Sequence, residues 1–196
     1  LGLTTAIGAL FLPLLVVIVV AMALGLGFGI VLTGQGAAAG RVVATGLLGA
    51  AVAVVLQFPW SLDLFGADTP WTAVGGIREG AGALTVPELL RFESGPVGAG
   101  MAGFAFLVLA VVPIVVGREW RAAWALRVWA MALVGWGLLW AGEAGWSPVA
   151  LPAPEVLLAP AAAAVVMAAG LAAVAFERDV VGKGFSWRQI GLVVGI

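Results

Sequence analysis

Residues 1–40 read LGLTTAIGALFLPLLVVIVVAMALGLGFGIVLTGQGAAAG and contain no Lys, Arg, Asp or Glu. An apolar stretch of this length cannot stay exposed to water, and a soluble core could not enclose it. A lipid bilayer is the solvent that suits it, because about 20 apolar residues cross the hydrocarbon layer as one helix. The stretch therefore predicts a protein that spans a membrane.

The composition of the whole chain agrees with this prediction. Hydrophobic residues make up 63% of the 196 residues and charged residues only 10%, against roughly 25% charged residues in soluble domains. The net charge is -1 and there is no basic run, which argues against a nucleic-acid partner. With no Cys and no His, thiol and imidazole chemistry and Cys or His metal sites are excluded, and no cofactor is evident.

Five apolar stretches are long enough to cross a bilayer, and a sixth begins near Ile190 and is cut off. The predicted fold is an all-α, polytopic helix bundle. Because the chain begins with Leu and its last apolar run stops short, we expect residues 1–196 to be a single transmembrane region of a longer protein. The five predicted spans are about Ala6–Leu32, Val42–Trp60, Val97–Val116, Trp120–Trp140 and Val156–Phe176.

Small residues recur within these spans at a spacing of one helical turn. Examples are Gly25 with Gly29 and Gly46 with Gly49. In lipid, small side chains let helix backbones approach closely, and the resulting van der Waals attraction drives association. We interpret the glycines as sites of close helix packing.

Most of the basic residues fall in alternate loops, around Arg41, Arg118 and Arg178. The segment between the second and third spans holds Arg78 and Arg91, but among five carboxylates. Cytoplasmic loops of membrane proteins carry an excess of Lys and Arg. We therefore predict a multi-pass protein with these three loops in the cytoplasm. Tryptophans, which prefer the depth of the lipid headgroups, agree: Trp120, Trp124 and Trp187 mark the inner side and Trp60, Trp140 and Trp146 the outer side.

Residues 61–96 form a long extracytoplasmic segment in this topology. Within it, Thr85 is a candidate helix cap, Glu88 lies in the first turn, and Leu89 and Phe92 lie on one apolar face. The pattern predicts a short amphipathic helix on the membrane surface, with its apolar side chains in the interface.

Asp63 and Asp68 are the candidate catalytic residues, since they follow directly on a span and face the outer side. Two carboxylates could bind a metal ion or act as a general base toward a lipid-linked substrate. Their spacing matches no metal motif, however, and the alternative is that both are solvated turn residues, with Asp68 starting an Asx turn.

Arg127 is the one charge well inside a predicted span. It lies about 10 Å along the axis from Trp120, on the same helical face as Trp124, so its guanidinium is expected to stack on that indole. Either it is an interfacial anchor, or it binds a lipid phosphate or diphosphate, for which its planar fork is suited. Arg118 and Arg121 are further candidates for contact with lipid phosphate.

Three segments of the chain resemble the membrane region of large actinobacterial-type family 2 glycosyltransferases. They are RFESGPVGAGMAGFAFLVLAVVPIVVGREWRAAWALRVWAMAL (91–133), WSPVALPAPEVLLAPAAA (146–163) and FERDVVGKGFSWRQ (176–189). The chain has no Asp-x-Asp triplet and no QxxRW-type motif, so the catalytic residues of that family find no counterpart here. The resemblance implies location in a bacterial plasma membrane and anchoring of a transferase whose cytoplasmic catalytic domain lies elsewhere in the chain. It also implies guidance of a lipid-linked sugar.

Two alternatives compete with this expectation. One is an integral-membrane transferase that uses Asp63 or Asp68 with a polyprenyl-phosphate sugar donor. The other is a transporter or membrane scaffold subunit, against which stands the shortage of ionisable residues within the spans. Membrane lipids are expected partners under each hypothesis.

Overall fold

All regular structure in the described part of the chain is helical. The computed structural model describes residues 1–63, 84–93, 100–146 and 153–176. The predicted sixth span, near Ile190, lies outside these ranges. The helices in them are α1 (Gly2–Ala9), α2 (Leu15–Leu32), α3 (Gly36–Leu56), α4 (Trp60–Asp63), α5 (Val86–Leu90), α6 (Ala102–Val115), α7 (Trp120–Glu143) and α8 (Pro154–Ala175).

Four of these helices, α2, α3, α7 and α8, are long and apolar enough to cross a membrane. They contain 18 to 24 residues, which corresponds to about 27–36 Å at the rise of an α-helix. The expectation of an all-α fold is confirmed, and the four apolar helices agree with a membrane-embedded protein. Five full spans are not confirmed, because the first and third predicted spans differ from the helices that form.

The first predicted span, Ala6–Leu32, is broken near Pro13. A proline inside a helix has no N–H to donate and its ring clashes with the carbonyl group four residues earlier. That carbonyl belongs to Ala9, where α1 ends, and α2 begins at Leu15. The apolar run therefore forms a short helix and a full span instead of one long helix.

The third predicted span, Val97–Val116, is represented by α6, which has 14 residues. At about 21 Å it is shorter than the hydrocarbon layer. Residues 94–99 lie outside the described ranges. The run of apolar residues predicted the helix and its end correctly, whereas α6 begins at Ala102, five positions later than predicted.

The second predicted span begins earlier than expected, so that Arg41 lies within α3 and not in a turn. The helix starts at Gly36, and the three alanines that follow are strong helix formers. Arg41 is exposed, and its long side chain can extend along the helix toward the nearby end.

The spans pack as a series of neighbours in which α2 lies between α3 and α7. On one side of α2, a Cβ at Gly46 of α3 would come within van der Waals overlap of the Ala23 side chain. On the other side, Gly25 approaches the backbone of Met131 and Gly29 that of Arg127. Both neighbours run antiparallel to α2. The series continues with α8, which packs against α7 and α6.

The predicted helix in the outer segment forms, and its Leu89 side packs against the bundle. Leu89 is 3% exposed, and its carbonyl oxygen accepts a hydrogen bond from the Trp136 indole (3.1 Å). The Phe92 ring packs against the same indole, with 5.5 Å between centroids. The expectation that Leu89 and Phe92 dip into lipid is thus wrong, because a buried indole offers both an apolar surface and a hydrogen-bond donor.

The close approach at Gly29 leads to a prediction about helix association. A Cβ at position 29 would lie 2.6 Å from the Arg127 Cα, so Gly29→Leu forces α2 and α7 apart. We expect a loss of about 1–3 kcal/mol in the free energy of unfolding, measured by circular dichroism in detergent. Gly137→Leu on α7 is the matched control, since nothing lies within 4 Å of a Cβ there. Equal stability of the two variants would contradict this packing.

The cap of α5 predicts a local dependence on pH. The backbone N–H and the hydroxyl of Thr85 both donate to Glu88 Oε2, each at 2.7 Å. These bonds, with a smaller contribution from Arg91, lower the pKa of Glu88 below its usual 4.5. The stabilisation is therefore complete above pH 4.5 and is lost as the pH falls through the lowered pKa.

We expect amide protection factors in residues 84–93 to fall over that acidic range, as measured by hydrogen exchange with mass spectrometry. In Glu88→Gln the segment should be less protected at neutral pH and should change less on acidification. The same acid response in both proteins would show that another group is responsible.

Candidate functional site

The most unusual polar group in the described spans is the guanidinium of Arg127. Arg127 lies on α7, about two turns from its start at Trp120, and is only 8% exposed. Its Nε and Nη2 groups donate to the hydroxyl oxygen of Thr33, at 3.2 and 3.1 Å. Thr33 caps the C-terminal end of α2, so this contact joins the ends of two neighbouring spans.

The hydroxyl of Thr33 is oriented to accept these bonds. It donates its own proton to the carbonyl oxygen of Ile30, at 2.9 Å. A hydroxyl has one donor and two acceptor lone pairs, so the lone pairs remain for the two N–H groups of Arg127. Sequence reasoning missed Thr33, since nothing local in the sequence connects it with Arg127, 94 positions away.

The predicted stacking of Arg127 on Trp124 is confirmed. The guanidinium carbon lies 5.2 Å from the centroid of the indole. The two residues are three positions apart on α7, which places them on one helical face. Attraction between a cation and the face of a Trp ring contributes roughly 0.5–2 kcal/mol, the larger values applying away from water.

These contacts leave the positive charge of Arg127 without a compensating carboxylate in the described ranges. Its polar partners there are a neutral hydroxyl and an aromatic ring. Two of its five N–H donors are used in these hydrogen bonds. No nitrogen of Arg127 is both fully buried and without a hydrogen bond. The remaining donors therefore reach the surface of the bundle, where an anionic group can accept them.

Arg118 and Arg121, the other predicted phosphate contacts, lie at the same end of the bundle but do not form one cluster with Arg127. Arg118 lies in the turn before α7. Arg121 is buried, and its guanidinium carbon lies 5.5 Å from the Trp120 ring centroid. Arg127 follows Arg121 by six positions, which puts them on different faces of a helix with 3.6 residues per turn. We call this end, with Thr33, Arg41, Arg118, Arg121 and Arg127, the basic end.

The candidate catalytic carboxylates lie away from the basic end. Asp63 is the last residue of α4, which follows the far end of α3. Asp68 lies outside the described residues. In the ranges that the structure describes, no group of three or more Asp and Glu side chains is placed to hold a metal ion. Catalysis by Asp63 and Asp68 stays a prediction.

Comparison with protein-family models, curated proteins and solved structures gives no match to this chain. The resemblance to glycosyltransferase membrane regions therefore stays an expectation. The interpretation of the site rests on the geometry around Arg127.

The contact between Arg127 and Thr33 leads to a prediction about stability. Thr33→Val keeps the size of the side chain but removes the acceptor, and we expect the protein to lose about 1 kcal/mol in the free energy of unfolding. Thr33→Ser keeps the hydroxyl and should unfold close to the wild-type temperature in thermal melts in detergent.

Thr45→Val is the matched control, because the Thr45 hydroxyl bonds only to the Arg41 carbonyl oxygen of its own helix. Both valine variants lose one hydroxyl bond to a helix carbonyl, and only Thr33→Val also loses an interhelical partner. If the two were equally stable, the contact with Arg127 would contribute nothing to folding.

Proposed function

We propose that this chain is the membrane-embedded region of a cell-envelope glycosyltransferase, and that its basic end holds the phosphate of a lipid-linked sugar. The region anchors the enzyme and guides the lipid carrier toward a cytoplasmic catalytic domain elsewhere in the same chain. Support comes from the sequence resemblance of residues 91–133, 146–163 and 176–189 and from the state of Arg127.

The observation on which the proposal rests is the buried guanidinium without a carboxylate partner in the described ranges. Removing a cation from water without a counter-ion is costly, so arginines within spans usually pair with an anion or mark a functional site. A phosphate accepts two parallel N–H bonds from a guanidinium and supplies the missing negative charge. A lipid-linked sugar carries such a phosphate next to its hydrocarbon chain.

The proposed orientation places the basic end in the cytoplasm of a bacterial plasma membrane. Arg41 and Arg118 lie at that end, and the loop around Arg178, outside the described residues, is assigned to the same side. We propose in addition that α6 is part of a fifth membrane span and that a sixth span begins beyond α8. A cytoplasmic position for Arg127 agrees with the excess of basic residues that such loops carry.

Substitution of Arg127 tests this function. In cells that depend on the protein for envelope glycan synthesis, Arg127→Gln should lower incorporation of labelled sugar about tenfold, which corresponds to about 1.4 kcal/mol of lost interaction. Arg127→Lys keeps the charge but not the planar fork, and should retain an intermediate rate.

The control is Arg91→Gln, which removes a guanidinium that pairs with Glu93 at 3.0 Å, far from the basic end. This variant should synthesise glycan at the wild-type rate. The amount of each variant in the membrane is measured by immunoblot. Wild-type synthesis by Arg127→Gln at normal abundance would refute the proposed function.

A further inference from the structure

A groove runs along the surface of the bundle, with α2 as its floor and α3 and α7 as its walls. Met22 and Leu26 lie on the floor. Arg41 and Thr45 line one wall, and Met131 lines the other. The cavity measures about 420 Å³ and is partly open to the surroundings. This volume falls within the range of about 300–1,000 Å³ that is typical of small-molecule sites.

The groove is apolar along its length and cationic at one end. The hydroxyl of Thr45 is already bonded to the carbonyl oxygen of Arg41 (2.8 Å), so Thr45 needs no further partner. Met22, Leu26 and Met131 offer only hydrocarbon and thioether surface. The guanidinium of Arg41 has no hydrogen-bond or ion-pair partner among the residues that the structure describes.

A second cation lies close to the same end. Arg127 precedes Met131 by four residues on α7, so it lies on the same face and one turn nearer the basic end. The backbone of Arg127 packs against α2 at Gly29, about one turn beyond Leu26 of the groove floor. Arg41 therefore lines the groove at this end, and Arg127, which does not line it, lies about one turn beyond Met131.

We infer that this groove binds the hydrocarbon chain of a single anionic lipid. The phosphate of that lipid lies beside Arg41, at the cationic end of the groove. The inference rests on the proposed function, because it assigns a chain-binding surface to the lipid whose phosphate Arg127 holds. An apolar channel that ends in unpaired cationic donors is complementary to an amphiphile with one negative end. The headgroup of a zwitterionic lipid also carries a phosphate, but its ammonium group cancels the net negative charge. A free phosphate leaves the apolar surface unfilled.

Photocrosslinking tests the inference on the intact chain. The protein is reconstituted in nanodiscs of phosphatidylcholine that contain a small amount of a probe lipid with a diazirine in its acyl chain. The probe is phosphatidylglycerol in one sample and phosphatidylcholine in the other, and adducts are mapped by mass spectrometry. We expect about fivefold more adducts from the phosphatidylglycerol probe than from the phosphatidylcholine probe on the peptides with Met22, Leu26 and Met131. This factor corresponds to the attraction between one basic residue and an anionic headgroup.

Two pairs of variants separate the headgroup from the chain. Arg41→Gln should lower the preference for the anionic probe severalfold, and Arg41→Lys should keep most of it. Thr45→Trp fills the groove and should remove adducts of both probes there. Leu48→Trp, on an exposed part of α3 that does not line the groove, should change neither.

Three results would overturn the inference. Equal labelling of the groove by both probes would mean ordinary bilayer contact, and labelling by neither would mean that polypeptide fills the groove. A preference for the anionic probe that is undiminished in Arg41→Gln would assign that preference to another cation. Because these measurements require no glycan synthesis, selective labelling combined with full activity of Arg127→Gln would refute the proposed function alone.

Discussion

The backbone of α2 lies directly against the backbone of α7 where Gly25 and Gly29 have no side chains. Within a bilayer, apolar side chains gain nothing by leaving lipid for protein, so helices associate through close van der Waals packing. This approach brings the last turn of α2 beside Arg127, and for that reason the Thr33 hydroxyl reaches the guanidinium. The same helix is the floor of the groove between α3 and α7. One glycine-mediated contact therefore positions both the buried cation and the apolar surface that leads to it.

Local sequence patterns predicted the positions of the four long helices approximately and the stacking within α7. The absence of charge predicted the spans because transfer of charged groups into hydrocarbon is costly over a whole helix length. The pairing of Arg127 with Trp124 followed from their spacing alone. The small residues of α2 predicted close packing but not its partner. The packing partner α7 and the acceptor Thr33 depend on which distant segments of the chain come together. The spacing of residues within one helix carries no information about this.

The errors have a common physical origin. Counting apolar residues treats a run as helix wherever it is long enough, whereas the backbone is limited by proline and by its need for hydrogen bonds at membrane depth. Pro13 prevents a continuous helix through the first apolar run, so the first span begins only at Leu15. In the segment before α6, the carbonyl of Leu89 is satisfied by the indole of Trp136. That bond holds one side of a short non-spanning helix against the bundle.

The geometry around Arg127 bears on its two interpretations, anchor or phosphate ligand. An anchor needs only a long side chain that reaches water or headgroups. Arg127 is instead drawn against Thr33 and Trp124, which fix its orientation and leave further donors at the surface. Orienting a cation before its ligand arrives lowers the entropy cost of binding. Since neither Thr33 nor Trp124 neutralises the charge, the arrangement is one that an incoming anion completes, and the groove beside it offers that anion a place for its hydrocarbon chain.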